Sequence, residues 1–546
     1  MKRRGKQGPK RQELRVEELK AILDRARGVL EAQDLEKLTA AIDTLAFLTS
    51  ELEAKGASIA RLRRWLFGAS TEKTSRVVGE GKSEAAGASG TAKGESGAKE
   101  KQKGHGRNGA ESYRGAEQVK VPHAMLHTGD RCPLCEKGKV YVQAEPAVLV
   151  RVKGIAPLMA TVYEKERLRC NACLEVFTAA SPPGVGSQKY DETAASMIGL
   201  LKYGCGLPFH RLARLEGSLG IPLPAPTQWE VVQRAAGLLE PAYGELVRQA
   251  AQGEVVYNDD TTMKILELDA PSNEDADEEE RSGVFTTGIV STAEGRRIAL
   301  FFTGRQHAGE NLADVLAKRA ADLTAPIQMC DALSSNTAGD FETILANCIA
   351  HARRRFVDVA DNFPDECRHV LETLRTVYEH DAVARREKMT PEERLRFHQA
   401  QSAPLMGELE EWLRKQIEQR KVEPNSGLGE AIGYMRKHWQ ALTLFLREPG
   451  APLDNNLCER ALKKAILHRK NALFYKTENG ARVGDLYMSL IHTAELCGAN
   501  PFHYLVALQR HEKVVAADPA RWMPWSYTEA LAELMPATGI EPDPPG

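Results

Sequence analysis

The chain has 546 residues, with 73 basic and 75 acidic side chains and a formal net charge of −2. An apolar share of 42% and a charged share of 27% are ordinary for globular proteins, which excludes collagen-like, wholly disordered and membrane-embedded classes. The length predicts about three to five structural parts. Because the net charge is nearly balanced, any contact with nucleic acid has to come from local basic patches.

The N-terminal segment is a basic arm. Its first fifteen residues carry seven basic groups and one acidic group, and no apolar stretch follows them. A secretory signal needs such a stretch, so we expect a cytoplasmic protein.

Apolar residues recur every seven positions after this arm, in a stretch free of proline. Such a repeat predicts a coiled coil within residues 1–73. The alternative is a single amphipathic helix packed on its own domain, but nothing before it offers a partner surface, so we favour self-association. The repeat is carried by Leu38, Leu45, Leu52, Ile59 and Leu66, with Leu35 and Ile42 between them.

Residues 74–118 are dominated by Gly, Ala, Ser, Glu and Lys and contain almost no large apolar side chain. Without such side chains a segment cannot bury a core, so we predict a flexible linker here.

Two Cys-x-x-Cys pairs follow within residues 119–183, Cys132-Pro-Leu-Cys135 and Cys170-Asn-Ala-Cys173. The two-residue spacing allows both thiolates of a pair to reach one ion, and four thiolates form a closed tetrahedral site. We therefore predict a structural zinc site. Redox motifs or buried thiols are the alternative for such pairs.

The next region, residues 184–252, is predicted to be helical. A segment from Pro208 to Gly217, a Gly-Pro-rich connection and a long helix from Pro226 have helix-turn-helix order. Such a unit either contacts DNA or serves only as a packing unit, and the sequence leaves both alternatives open.

Short β-branched and aromatic runs begin at Glu254 and predict a mixed α/β sheet. Helices are expected at about Gly309–Ala321 and Gly339–Leu345. We divide the remaining chain into a first α/β part at 253–363, a helical insertion at 364–449, a second α/β part at 450–510 and a C-terminal tail at 511–546. Strands are expected at Glu254–Tyr257, Val284–Val290, Arg297–Phe302 and Ile327–Cys330.

Three acidic residues lie beside apolar elements. Asp259 follows Val255-Val256-Tyr257, Asp331 follows the run that ends at Cys330, and Glu459 lies on a helix opened by Pro452-Leu-Asp454. Carboxylates that converge at strand ends bind hard divalent cations through oxygen. Asp454 also has a simpler role available, as a helix N-cap.

Several segments resemble signature segments of the insertion-sequence-66 transposase family. They are Asn258–Lys264, Ala350–Phe356 and Asp454–Arg460, supported by Arg469–Phe474, Asn500–Leu505 and Leu62–Gly68. The order Asp-Asn-Asn-x-x-Glu-Arg is the most specific of them. The chain departs from the family pattern at Asp260, where the family often has Glu.

This resemblance implies a DDE transposase with a ribonuclease H-like catalytic domain, in which Asp259, Asp331 and Glu459 form the acidic triad. Such enzymes bind the ends of an insertion element and cut and join DNA strands with two Mg²⁺ ions, for which Mn²⁺ can substitute. The implied partners are double-stranded DNA, both element ends and target, and small accessory proteins of the same element. A nucleoid-associated location follows from DNA binding.

Basic residues near the predicted triad are candidates for phosphate contacts. A solvated charged face, with pairs such as Glu459 to Lys463, is the alternative. A DNA-binding regulator with an inactive ribonuclease H-like domain, and a nuclease that cuts without joining, are the rival functions. The candidates are Arg353, Arg354, Arg355, Arg460, Lys463, Lys464, Arg469 and Lys470.

Overall fold

The computed structural model describes residues 119–534 except 123, 144–148, 150–155, 170, 172, 174, 187, 270–282 and 340, together with 22, 23, 25, 35 and 37–39. The few described positions before residue 40 are helical and belong to a separate compact unit, residues 1–80. Most of the predicted coiled coil and the whole predicted linker at 74–118 lie outside the described residues.

The second unit contains a short antiparallel pair of strands, β1 (Arg167–Arg169) and β2 (Val176–Thr178), followed by helices. The first helices are α1 (Glu192–Gly199), continued by a π-helical turn at Leu200–Gly204, then α2 (Phe209–Ser218) and α3 (Ala225–Ala250). Asp191 begins α1, because its Oδ1 accepts a hydrogen bond of 2.9 Å from the Ala194 amide. The buried face of α3 repeats at helical spacing and joins the main core.

A five-stranded mixed sheet forms the centre of this unit. Strands β3 (Val255–Thr262), β4 (Phe285–Ala293) and β5 (Arg296–Gly304) form an antiparallel meander. Helix α4 (Ala308–Leu316) then crosses over to β6 (Ile327–Cys330), which runs parallel to β3, and β7 (Ile344–Asn347) runs parallel to β6. The spatial order is therefore β5-β4-β3-β6-β7.

The predicted helix at Gly339–Leu345 is wrong, since Ile344–Asn347 forms strand β7. A short apolar run such as Ile344-Leu-Ala346 has no periodicity that separates a helix from a buried strand. Parallel pairing with β6, in which Gln328 lies opposite Leu345, decides the outcome. The choice thus depends on a strand partner and not on local sequence.

Helices fill the chain between β7 and residue 446. Arg394 ties this block to the chain that follows it, because Nη2 lies 2.7 Å from Asp381 Oδ1 and Nη1 donates to the Ala451 carbonyl at 2.7 Å. The helices are α5 (Ile349–Val359), α6 (Pro364–Arg386), α7 (Pro391–Gln401), α8 (Ala403–Glu418), α9 (Gly427–Lys437) and α10 (Trp439–Leu442).

The chain then returns to the sheet with α11 (Asn456–Ala472) and α12 (Glu478–Leu496), and ends in α13 (Pro501–Arg510), α14 (Glu512–Ala517) and α15 (Tyr527–Leu534). Among the described residues, no helix is both long enough and apolar enough to cross a bilayer.

Helix α12 covers the free edge of β5. Asp485, Ser489 and Thr493 accept hydrogen bonds from the amides of Thr303, Phe301 and Ala299 at 2.7, 3.0 and 3.0 Å. Four helical residues rise about 6 Å and two strand residues about 6.6 Å, so the helix matches alternate amides of the strand. An exposed strand edge pairs readily with strands of other molecules. The ladder of hydrogen bonds from α12 to β5 prevents such pairing.

Candidate functional site

The parallel pairing of β3 and β6 brings two carboxylates to the same level of the sheet. Tyr257 lies opposite Met329 in this pairing, and Asp259 and Asp331 each follow two positions later. Adjacent strands are about 4.8 Å apart, so the two side chains meet where β6 ends.

A close approach between α11 and β4 brings in the third carboxylate. Gly288 is the register partner of Asp259, and Cys458 Sγ lies 3.1 Å from the Gly288 carbonyl oxygen. A Cβ atom at Gly288 would lie 2.9 Å from Leu462 Cγ, so the absence of a side chain there lets the helix pack directly on the strand. Glu459 follows Cys458 and thus reaches the level of Asp259.

These carboxylates influence one another electrostatically. Burial, then the charge of Asp331, with smaller effects of Asp260 and Glu459, raises the pKa of Asp259 to about 7. A bound cation would relieve this repulsion and stabilise the ionised form of Asp259. The donor set, oxygen ligands on rigid elements, fits a hard divalent ion such as Mg²⁺ or Mn²⁺.

A network of buried amides holds Asp331. Its Oδ1 accepts hydrogen bonds from the Asn336 side chain and, at 3.2 Å, from the Leu333 amide. The Asn336 carbonyl in turn accepts from Asn258 Nδ2 and Gln328 Nε2, both at 2.7 Å. The sequence analysis did not identify these amides. Asn258 and Gln328 could have been recognised as polar residues at strand positions whose side chains alternate toward the core.

The start of α11 is joined to the same network. Asn455 Nδ2 donates to the Asn258 carbonyl at 3.0 Å, and the Asn455 amide lies 3.2 Å from Cys348 Sγ. The N-cap of α11 is Asn455, so the N-cap role predicted for Asp454 is wrong; Asp454 lies one residue earlier, and its Oδ1 accepts from the Asn456 amide at 3.2 Å. The Asp-Asn-Asn sequence therefore fixes the helix start against β3, which sets the position of Glu459.

His351 lies beside the carboxylates. Its Nε2 is 3.8 Å from Glu459 Oε1, and its Nδ1 is buried without a hydrogen-bond partner in the described part of the chain. Cys348, His351 and Glu459 offer ligand atoms within 4.8 Å of one another. A cleft of about 270 Å³ beside them is lined by Asp331, Ala332, Leu333, His351, Arg354, Arg355, Asp358 and Tyr434.

The predicted phosphate-binding residues differ in their contacts and in their exposure to solvent. Some already have protein partners: Lys464 Nζ lies 2.9 Å from Glu495 Oε2, Arg469 Nη1 donates to Thr261 Oγ1 at 3.1 Å, and the Arg355 guanidinium lies 3.9 Å from the Tyr434 ring centroid. Arg353 is half-buried on α5. The remaining residues are exposed to solvent: Arg354, Arg460, Lys463 and Lys470.

The first predicted cysteine pair lies on a tight loop. The Cys132 amide donates to the Gly138 carbonyl at 2.8 Å, and the Glu136 amide donates to the Cys132 carbonyl at 2.9 Å. Hydrogen bonds from the Gly138 and Lys137 backbone and from Cys132 lower the pKa of the Cys135 thiol, which favours the thiolate that binds metals. Cys173 is exposed, whereas Cys170 lies outside the described residues.

The chain belongs to the transposase IS66 family, whose model matches residues 188–483. That match spans the helical region, the sheet and the beginning of α12, and it confirms the resemblance drawn from the signature segments. The chain is also similar to two uncharacterized proteins of Sinorhizobium fredii. It is 26% identical to y4jD over 406 residues, 70% of this chain and 73% of y4jD, and 26% identical to y4hP over 408 residues, 67% and 68% of the two chains.

Proposed function

We propose that the protein is a DDE transposase that binds the ends of an insertion element and catalyses metal-dependent cleavage and strand transfer of DNA. Asp259, Asp331 and Glu459 would hold two Mg²⁺ ions in this proposal. The observation that supports it is the electrostatic influence of Asp331 and Glu459 on Asp259, whose pKa is raised first by burial and then by these acidic neighbours.

The topology supports a ribonuclease H-like catalytic domain. The sheet has an antiparallel meander followed by two parallel strands, in the order β5-β4-β3-β6-β7. Asp259 lies on the central strand, and Asp331 directly follows its parallel neighbour β6. Glu459 lies on a helix that returns after the helical block. In this proposal the catalytic domain is split into residues 253–363 and 450–510.

The residues of the chain would position the reacting groups and balance their charges. Two divalent ions supply stabilisation of the attacking and leaving oxygens when bound. Asp259 and Asp331 are fixed on the sheet, and the amide network orients Asp331 without occupying its second oxygen. His351 Nε2 lies 3.8 Å from Glu459 Oε1, an ion-pair distance at which the ring would help to hold that carboxylate in place. No covalent protein nucleophile is needed.

The decisive experiment uses purified protein, labelled DNA from the termini that flank its own coding sequence, and Mg²⁺. Mapped strand cuts at the termini would support the proposal, and binding without cutting would favour the DNA-binding regulator. A second reaction with pre-cut ends separates a transposase, which joins them to target DNA, from a nuclease, which does not.

Metal binding is expected to depend on pH. Because burial and acidic neighbours raise the pKa of Asp259 to about 7, the metal-free protein holds a proton there that Mg²⁺ must displace. The raised pKa adds stability to the metal-free fold at low pH, and this stability is lost as pH rises through about 7. Mg²⁺ affinity should fall about tenfold per pH unit below that value, with proton release measurable by calorimetry in two buffers. Asp259→Asn should abolish both Mg²⁺ binding and the proton release, and constant affinity from about pH 6 to pH 8 in the wild type would contradict the prediction.

We also propose that Cys132, Cys135, Cys170 and Cys173 bind one structural Zn²⁺ ion. Metal analysis of the Cys132→Ser, Cys170→Ser double variant should show loss of zinc and greater protease sensitivity within residues 119–183. Cys205→Ser alters an exposed cysteine outside the motif and is the matched control. Unchanged zinc content in the double variant would refute the site.

The remaining proposals concern partners. The helix-turn-helix-like region at 184–252 and the exposed basic residues would contact DNA, and the N-terminal heptad repeat would join copies of the chain. Accessory proteins of the same element would be further partners.

A further inference from the structure

Two large apolar side chains project from the turn between α11 and α12. Leu473 is 65% exposed and Phe474 is 41% exposed. Leu473 has φ of 71°, which non-glycine residues rarely adopt. Backbone strain of this kind persists where the surroundings impose it, and it often marks functional sites. We call Leu473–Phe474 the apolar tip.

The apolar tip is rigidly anchored on both sides. The Leu473 amide donates to the Arg469 carbonyl at 2.8 Å, and the Tyr475 amide donates to the Lys264 carbonyl at 2.9 Å. Tyr475 forms a β-bridge with Ile265, and its buried ring stacks on His468 with centroids 4.7 Å apart. These contacts hold the tip in one conformation, so it needs little ordering when it binds a partner.

The apolar tip lies toward the C-terminal end of β3, the strand that carries Asp259. Ile265 follows Asp259 by six residues, of which the first three complete β3, so these two residues are at most about 20 Å apart. Leu473 follows Glu459 by fourteen residues along α11 and its C-cap, a rise of about 21 Å. The tip is therefore about 20 Å from Glu459, a length of about six base steps along DNA.

Positive charge flanks the tip. Lys470 and Lys476 are exposed on its two sides. The nearby Glu267 carboxylate accepts a hydrogen bond of 2.9 Å from the Glu478 amide and is thereby directed to the start of α12. This arrangement fits DNA, in which stacked bases lie between two phosphate backbones. Apolar side chains can enter between two stacked bases, while the lysines contact the phosphates of the DNA backbone.

We propose that the apolar tip inserts into the DNA about six base steps from the cut and unstacks the bases there. This inference rests on the proposed function, since it assumes that DNA reaches the three carboxylates. DNA is favoured over a protein partner because the exposed apolar surface is small, strained and bordered by lysines.

The test compares the wild type with Phe474→Ala, Phe474→Trp and Val514→Ala. Val514 lies on α14, outside the regions proposed to contact DNA, and is 41% exposed, as is Phe474, so its truncation is the matched control. The probe is a terminal duplex carrying 2-aminopurine at successive positions, bound in Ca²⁺ so that no cutting is needed. Wild type, Phe474→Trp and Val514→Ala should raise its fluorescence near the sixth step, and Phe474→Ala should not.

Cleavage in Mg²⁺ gives a second readout. Phe474→Ala should cut fully paired DNA about tenfold more slowly, since stacking of one base on an aromatic ring carries an effect of that size. Mismatches at the unstacked positions should restore its rate. Equal rates on paired DNA, or no 2-aminopurine response in the wild type, would overturn the proposal. A lower mass of Phe474→Ala in light scattering with an unchanged fluorescence response would assign the tip to self-association instead.

The two proposals fail in different ways. If the wild type cuts no DNA, the proposed function is contradicted while the fluorescence response in Ca²⁺ still reports on the tip. If the wild type cuts normally and the fluorescence response is absent, the tip alone is contradicted.

Discussion

Asp259→Asn, Asp331→Asn and Glu459→Gln are each expected to reduce DNA cleavage at least about a thousandfold. Each change keeps the shape of the side chain and removes a negative charge that divalent oxygen coordination needs. Rates of strand cutting and strand transfer on labelled terminal DNA measure the effect. Mn²⁺ should support the wild-type reaction, whereas Ca²⁺, with its looser geometry, should allow assembly without efficient cutting.

DNA binding by these variants should survive, because phosphate contacts come from other residues. This separates loss of metal from misfolding, which would remove both activities. Asp454→Asn is the matched control: it lies on the same segment as Glu459, and its Oδ1 accepts from the Asn456 amide, a bond that an asparagine oxygen can also accept. Near-normal cutting by Glu459→Gln would show that the glutamate is misassigned and would make Asp454 the next candidate.

Gly309→Ala is expected to destabilise the protein by about 1–3 kcal/mol and to slow DNA cutting. A Cβ atom at Gly309, on α4, would lie 1.9 Å from the Thr337 carbonyl oxygen, a backbone atom that cannot rotate away. Thr337 follows Asn336, whose side chain bonds Asp331. The clash would therefore shift the support of one metal-binding carboxylate. Denaturant unfolding and cleavage rates measure the two effects.

Gly407→Ala is the matched control for this substitution. Gly407 lies on an exposed face of α8, and a Cβ atom there would meet no described atom within 4 Å. Alanine has the higher helix propensity, so this variant should gain about 0.5–1 kcal/mol and cut DNA normally. A Gly309→Ala variant as stable as the wild type would contradict the prediction. It would show that the loop after β6 moves to make room for the methyl group without loss of stability.

Sequence patterns predict the parts of the site that depend on local order. Asp259 and Asp331 each follow an apolar run, and the parallel pairing of those runs is enough to bring them together. Glu459 is different, because more than a hundred residues separate it from Asp331. Only the family resemblance indicated that it returns to the same place, and the structure shows the contact at Gly288 that allows this.

Partners distant in sequence account for what the sequence did not reveal. Lys464 and Arg469 are basic residues on the same helix as Glu459, but Glu495 and the end of β3 are their partners. Their contacts depend on how α11 packs against α12 and the sheet. The strand β7 was missed for the same reason, since its identity depends on pairing with β6 and not on its own four residues.

The cover that α12 places on β5 has a consequence for synthesis of the protein. The residues that form this ladder are separated by 182 to 194 positions along the chain. At a synthesis rate of about 5–20 residues per second, the strand edge emerges from the ribosome on the order of 10 to 40 s before its cover does. During that interval the nascent sheet presents unpaired amides, and a product truncated before residue 478 would keep them exposed. Translation through α12 is thus a condition for solubility of the sheet, and premature termination in the helical block should yield aggregating fragments.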